Sequence, residues 1–464
     1  MKKLTIVLVC VTLFMLCSCA TSKAQLSLQD NMRSAVSNEQ YVEAVQLIEE
    51  KAEDYKDILL LNLDMAWAKF YEGDYETAIS LFTEAERIQD ERIATSISSE
   101  IGTLLLNENS QDYTADSFEQ VYINIGMALS YCQLGLTEDA LVEAKKANTK
   151  LQDFNLNQKE QASKIEKFIL KITANPFSWT DDAGNAGAFE IPIVDDFNNS
   201  TLANYLSMLL YRAEGDSSNA EVDQRLLASS LGEGSSLISS DDIIVPEGLA
   251  RVNIIGLEGL IPVKEEAAVA VYSKIEPTAE YPGGWFYHKV AYPVIIGEST
   301  KVVSATVECS NGSTYNLLPL ENIGDLAKQA LAMNTVSNYL RSYYRGYMKV
   351  MPTFLAADIV RLKAIEEAQK ASNGNALLVS AATKAALIAR DKTVDAVNST
   401  EAANLNMGSL LPGNIVATGI TIEPGVYDFT VKYKLNNGAI ITDLISNYEV
   451  KSDALNLVVS KCLK

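Results

Sequence analysis

Apolar residues in the first half of the chain recur at spacings of three and four. Beyond about residue 240 they alternate or cluster in short runs. The first pattern puts side chains on one face of a helix and the second on one face of a strand. Two helices are readable over 26–55, the second carrying Tyr41, Ala44, Val45 and Ile48 on one face. From Leu61 the chain reads LNLDMAWAKFYEGDYETAISLFTEAERI, two helices joined at Gly73, and 124–147 repeats the arrangement. Asn62, Asn124 and Asn204 each stand eleven residues before a glycine (Gly73, Gly135, Gly215), and each glycine is followed five residues later by an alanine (Ala78, Ala140, Ala220). Glycine lets the backbone turn and alanine lets two helices approach closely, so the spacing predicts repeated helical hairpins. The glycines are 62 and 80 residues apart, and further helices are expected near 92–106 and 158–173 to fill the intervals.

After the Gly- and Ser-rich stretch 232–240, strands are expected at 250–255, 267–272, 287–296, 301–309 and 314–318, and again at 426–435, 439–445 and 455–463. Asn311-Gly312 and Asn437-Gly438 each sit between alternating runs, a strong hairpin signal because both residue types tolerate positive φ. Between the two β blocks lies a helical insert, 323–350 and 353–371 followed by 376–397, about 323–397 in all, expected to pack on the sheet. The fold expected is multidomain: an all-α helical domain over 26–235, a linker over 236–248, and a β-rich, sandwich-like α+β domain over 249–464. Within the helical domain, 175–199 breaks the periodicity. Its Asp181, Asp182, Asp195 and Asp196 lack the alternating ligands and closing Glu of an EF-hand, so a solvated loop or small hairpin is expected.

Composition narrows the chemistry. A hydrophobic content of 48% excludes global disorder, and a net charge of −22 argues against nucleic acid, whose phosphates need clustered Lys and Arg. The single histidine, His288, leaves no room for a multi-His metal site. Pro282-Gly283-Gly284-Trp285 beside it reads as a ligand loop or as a turn leading into a strand. Arg361 and Lys363, with Glu366 and Glu367, fit ordinary helix-surface pairing. There is no Gly-Lys-Ser/Thr phosphate loop, no Gly-x-Ser-x-Gly elbow and no CxxC, so no catalytic residue, cofactor or metal is assigned.

The chain opens with Lys2 and Lys3, an apolar run over 4–16, then Cys17-Ser18-Cys19-Ala20. The run is well short of the ~20 residues that span a bilayer and reads as a secretory signal. Leu16-Cys17-Ser18-Cys19 resembles a bacterial lipoprotein box. That resemblance implies removal of 1–18, acylation of Cys19, and a short tether over 19–25. Ala20, in place of Asp, implies the outer membrane, facing the periplasm. Cys10 and Cys17 leave with the signal, Cys132 sits at a packed helix position, and Cys309 and Cys462 fall in strands, either bonded or as two buried thiols.

The Gly–Ala hairpins resemble the tetratricopeptide repeat (TPR), whose stacked helix pairs form a groove for another polypeptide. The resemblance implies groove-facing positions at Trp67, Phe70, Tyr71, Tyr205 and Arg212. Asn62, Asn124 and Asn204 stand where the motif prefers a large aromatic. They either line the groove and bond a partner's backbone or bond neighbouring helices within the stack. Taken with Ile359-Val360-Arg361-Leu362-Lys363, Leu410-Leu411-Pro412 and Ile422-Glu423-Pro424-Gly425-Val426-Tyr427-Asp428, nearly the full chain is similar to a family of uncharacterised bacterial TPR-containing lipoproteins. The family has a Trp shortly before the Leu-Pro pair, where this chain has Met407. The function expected is a membrane-anchored, non-enzymatic envelope scaffold that docks a protein or peptide. The alternative is an envelope hydrolase or glycan-binding protein using carboxylates of the C-terminal domain.

Overall fold

The computed structural model describes residues 20–97, 112–172, 176–180, 186–190, 200–232 and 236–464. The lipoprotein-like box with Cys19, and the four aspartates of 181–196, lie outside these residues. Helices come first: α1 (Ala20–Ser37), α2 (Tyr41–Glu50), α3 (Ile58–Glu72), α4 (Tyr75–Ile97), α5 (Ser117–Gln133), α6 (Thr137–Ile172), α7 (Thr201–Ala213) and α8 (Ser217–Leu231). The expected hairpins are present. Gly73, Gly135 and Gly215 turn α3 into α4, α5 into α6 and α7 into α8 with φ of 95°, 74° and 78°, and Ala78, Ala140 and Ala220 are fully buried where the paired helices touch. Asp74 and Asp216 cap the following helices by accepting the Thr77 and Asn219 N–H groups. The helix expected near 158–173 is not separate: it is the far end of α6, which runs 36 residues without a break. Of the helix expected near 92–106, the described part continues α4.

The described part of the stretch expected as a tether, 20–25, is helical. Helix α1 already starts at Ala20, and Gln25 is buried. The strands β1 (Ser178–Thr180) and β2 (Ala186–Ala188) form a small hairpin whose flanking Phe177 and Phe189 stack on Tyr339, the Phe189 ring at 3.9 Å between centroids.

The C-terminal part carries β3 (Ala250–Leu260), β4 (Lys264–Ile275), β5 (Gly284–Ile295), β6 (Val302–Cys309), β7 (Thr314–Asn322), helices α9 (Ile323–Ala371) and α10 (Ala376–Asn398), then β8 (Pro412–Ile422), β9 (Gly425–Leu435), β10 (Ile440–Val450) and β11 (Asn456–Cys462). Asn-Gly pairs turn β6 into β7 and β9 into β10, with Gly312 and Gly438 at positive φ as their sequence predicts. The sandwich expectation is corrected. Seven strands form one sheet in the order β10-β9-β6-β7-β8-β3-β11, and β4 with β5 forms a separate long hairpin. The large sheet curls until its edges meet: Asp443 on β10 accepts the Ser460 hydroxyl (2.8 Å) and the Lys461 N–H (3.1 Å) of β11. Side chains thus occupy donors that an open edge would leave free. Inside the curl, Val252, Ile254, Val307, Phe429, Val431 and Tyr433 form a closed apolar core. Cys309 and Cys462 are both buried there as free thiols.

The helical insert is also simpler than its sequence reads. The two helices expected at 323–350 and 353–371 are one, and α9 runs through Pro352. Val350 and Phe354 on either side are held in one apolar cluster with Phe286 and Val394, which fixes the backbone across the lost hydrogen bond. Instead of lying on the large sheet, α9 packs on the β4–β5 hairpin, and the end of α6 joins them through Ile165 and Ile169.

No free linker separates the two parts among the described residues. Leu237 and Ile243 are buried, and Asp242 is fully enclosed. Asp242 accepts Arg251 Nε at 2.9 Å and Nη2 at 3.0 Å, accepts Asn253 Nδ2 at 2.9 Å, and lies 3.5 Å from Arg212 Nη1. At the other end of α7, Glu321 of β7 accepts the N–H groups of Thr201 and Leu202, the Ser200 hydroxyl and the Tyr122 hydroxyl. A carboxylate from the sheet thereby caps a helix of the other layer, where the helix dipole favours negative charge. One hydrophobic core runs from Leu28 through the helices to Leu463, so the helical and β-rich parts pack against each other across the boundary expected at 236–248.

Candidate functional site

The segment 401–411 has no helix or strand of its own, yet it is among the better-buried stretches of the chain. Leaving α10, it is pinned first by Glu401. This carboxylate is enclosed and accepts the Ser342 hydroxyl at 3.0 Å, Arg345 Nη2 at 2.9 Å and Lys349 Nζ at 2.8 Å. The chain then crosses the helical layer, bonded to α1, α3 and α5, and enters the sheet at β8.

From Asn406 to Leu411 its main chain is read out by side chains. The carbonyl of Asn406 accepts from Lys264 Nζ (3.1 Å) and that of Met407 from Gln29 Nε2 (3.0 Å). The Gly408 N–H donates to Glu119 Oε1 (2.6 Å) and the Ser409 N–H to Asp64 Oδ1 (2.7 Å). The Ser409 carbonyl accepts from Arg33, that of Leu410 from the Tyr71 hydroxyl (2.8 Å), and that of Leu411 from the Ile261 N–H (3.1 Å). Gln25 adds a bond to the Asn406 side chain. Met407, Leu410 and Leu411 fill the core below.

Local sequence explains the placement. Gln25, Gln29 and Arg33 are spaced by four on α1, which sets them in one row along the helix. Asp64 is the one acidic residue within the ILLLNLDMAWAKFY run of α3, and Glu119 lies in the first turn of α5, where it also accepts the Asp116 N–H and the Tyr113 hydroxyl. Burial raises the Asp64 carboxyl to about 6, although the Ser409 N–H, the Tyr55 hydroxyl and Arg33 all pull it down. Burial likewise raises Glu119, and the neighbouring Asp116 adds to it. Both groups are retained where a charge is costly because they complete buried main-chain hydrogen bonds.

The contact residues expected from the repeat pattern are mostly elsewhere. Trp67, Phe70, Tyr71 and Tyr205 are all buried. Trp67 meets Phe82 edge-on at 5.3 Å, and Tyr71 hydrogen-bonds to the bound segment. Arg212 reaches Asn253 and Asp242, not a groove. Asn124 donates to Glu86 and Glu143, Asn204 accepts from Asn148, and Asn62 is buried in α3. The groove-facing role of Trp67, Phe70, Tyr71, Tyr205 and Arg212 is therefore corrected, because their side chains are enclosed within the body, while Asn124 and Asn204 follow the other of their two expected readings and bond neighbouring helices within the stack. Sequence reasoning passed over Gln25, Gln29, Arg33, Asp64 and Glu119. The signal available was the single acids in apolar runs, Asp64 in α3 and Glu119 in α5.

His288, the one histidine, is enclosed by Phe286, Tyr343 and Tyr347, and neither ring nitrogen has a hydrogen-bond partner among the described residues. Burial lowers its pKa to about 3. The adjoining Gly283-Gly284 turn leads into β5. Among the described residues no group of three or more His, Cys, Asp or Glu is arranged to hold a metal ion, and no helix is long and apolar enough to cross a membrane. The chain matches no protein-family model, and no curated protein sequence aligns with it.

Proposed function

We propose that this protein is a membrane-anchored, non-enzymatic scaffold of the cell envelope whose TPR-like helices bind extended polypeptide. The observation that carries this reading is the recognition of 406–411 through its main chain, by donors and acceptors drawn from α1, α3 and α5. Readout of the backbone is tolerant of side-chain identity and suits a surface that receives extended chains. In this conformation the chain's own segment fills the surface, so a partner's segment binds by replacing it. Asp64, Glu119 and Glu321 carry raised pKa values while accepting main-chain hydrogen bonds, which supports positioning roles for them over catalytic ones. The anchor rests on Leu16-Cys17-Ser18-Cys19, with Cys19 acylated and the protein held at the outer membrane.

The test is competition. A labelled peptide with the sequence of 403–411 is titrated against the full-length protein and against Met407→Asp, which weakens the segment from within. The variant should bind the peptide and the parent should not. A variant that keeps its near-UV circular dichroism and melting transition yet ignores the peptide overturns the reading. For the anchor, Cys19→Ala should lose palmitate labelling and leave the membrane fraction.

A further inference from the structure

Past its base, the α9–α10 hairpin stands clear of the body. Asp358 and Val394 are buried and mark that base, where Asp358 accepts from the Tyr281 hydroxyl and Arg390, and Asn398 accepts the Lys289 N–H of β5. Between them, none of the residues 359–393 is buried. Thirteen residues of α9 lie beyond the base, a reach of roughly 20 Å at 1.5 Å per residue. Leu362, Ile365, Val379 and Leu387 along the two helices are half-buried.

At the apex the chemistry changes. Leu377 is 82% exposed and Leu378 58%, directly after the Ser372–Asn375 turn that Asn375 closes by accepting the Leu377 and Leu378 N–H groups. In a chain with 60 Asp and Glu, 370–384 contains none, while Lys370 and Lys384 flank the leucines. Over 361–392 there are six Lys and Arg against three Asp and Glu, a net charge of +3 where the whole protein carries −22. Lys370 pairs with Glu366 one turn below, on the solvent side, and an exposed pair of this kind costs little to rearrange.

We propose that this apex is a membrane-contacting tip that dips Leu377 and Leu378 into the interfacial region of a bilayer, with Lys370 and Lys384 at anionic headgroups. Two aliphatic side chains on a convex tip offer far less area than the ~800 Å² per partner that a stable protein interface buries, but they suffice for shallow insertion into a deformable lipid surface. The local positive charge supplies the complementarity, since anionic leaflets attract lysines held near the surface and the acidic body is repelled from it. The tip thereby sets the distance and orientation of the body relative to a bilayer. This inference does not depend on the peptide-binding reading, because the hairpin and the 406–411 segment share no residue.

The test uses the full-length protein reconstituted in vesicles, with a bimane label on Leu377→Cys and, as control, on Val426→Cys at the exposed start of β9. In phosphatidylglycerol vesicles the 377 label should shift to the blue and be quenched several-fold more than the 426 label by lipids brominated in their acyl chains. The difference should shrink in phosphatidylcholine or high salt and vanish with Leu378→Asp. Equal, water-like emission at the two positions overturns the proposal. So does a blue shift at 377 without any vesicle present, which would mark the apex as a protein-docking or self-association site.

Discussion

Ser409 gives both its main-chain N–H and its hydroxyl to one carboxylate oxygen of Asp64, at 2.7 and 3.2 Å, across 345 residues of sequence. The contact joins the segment leading into β8 to the middle of α3, and the other Asp64 oxygen accepts the Tyr55 hydroxyl at 3.0 Å. Asp64→Ala should lose about 2–4 kcal/mol in urea unfolding, because three buried donors lose their carboxylate acceptor. Asp64→Asn keeps an acceptor for Ser409 and removes a buried charge. The folded carboxyl titrates near 6 and the unfolded one near 3.8, so the wild type loses stability as pH rises through that window, whereas Asn does not. Relative to wild type, Asn should therefore gain about 2–3 kcal/mol between pH 4 and pH 7. Equal pH profiles for the two proteins would show that Asp64 stays ionised throughout.

Asp242 is the counter-charge for two buried guanidinium groups, Arg251 and Arg212, and it sits in the stretch that joins helices to sheet. Asp242→Asn preserves shape but leaves both cations uncompensated, a loss of about 3–5 kcal/mol by denaturant titration. Spread over one core, that loss should lower the whole transition. Separate melting of helical and β signals would mean the two layers fold independently.

His288 makes the protein sensitive to acid. Its unfolded pKa of 6.5 falls to about 3 in the fold, so below about pH 6.5 the unfolded chain takes up a proton that the folded chain refuses. The stability His288 provides is complete above 6.5 and is lost progressively down to about 3, of order 4 kcal/mol over that range. His288→Leu should flatten this part of the stability–pH curve while leaving the neutral value within ~1.5 kcal/mol. An unchanged acid limb would assign the loss to other groups.

Gly346 lies on α9 against the same histidine. A Cβ there would come 2.6 Å from the Lys289 carbonyl and 3.0 Å from His288 Nδ1. The carbonyl belongs to the β4–β5 hairpin and has little freedom to retreat, so Gly346→Ala should cost about 1–3 kcal/mol in spite of alanine's better helix propensity. A melting temperature equal to or above the parent's would mean that α9 and β5 are loosely packed.

Local rules made much of the chain legible. A glycine that must take positive φ and an alanine where helices touch mark α3–α4, α5–α6 and α7–α8, and Asn-Gly marks the β6–β7 and β9–β10 turns, each from a few adjacent residues. The segment 401–411 was opaque for the opposite reason: its partners Gln29, Arg33, Asp64 and Glu119 lie 289 to 378 residues away, and its own sequence has no periodicity. Trp67 and Tyr205 misled, and Asn124 stayed open between two readings, because aromatic and amide side chains suit a binding groove and a satisfied interior equally well. Burial alone separates the two.

By itself the sequence determined that helices precede strands and where the tight turns fall. These follow from short-range periodicity and from residue-specific backbone freedom. Only the tertiary structure decided that the helices and sheet share one core, that the sheet closes through Asp443, that the helical surface is filled by the chain's own backbone, and that Leu377 and Leu378 stand out at a bare tip. Those outcomes depend on which distant surfaces meet, and one-dimensional spacing does not encode such meetings.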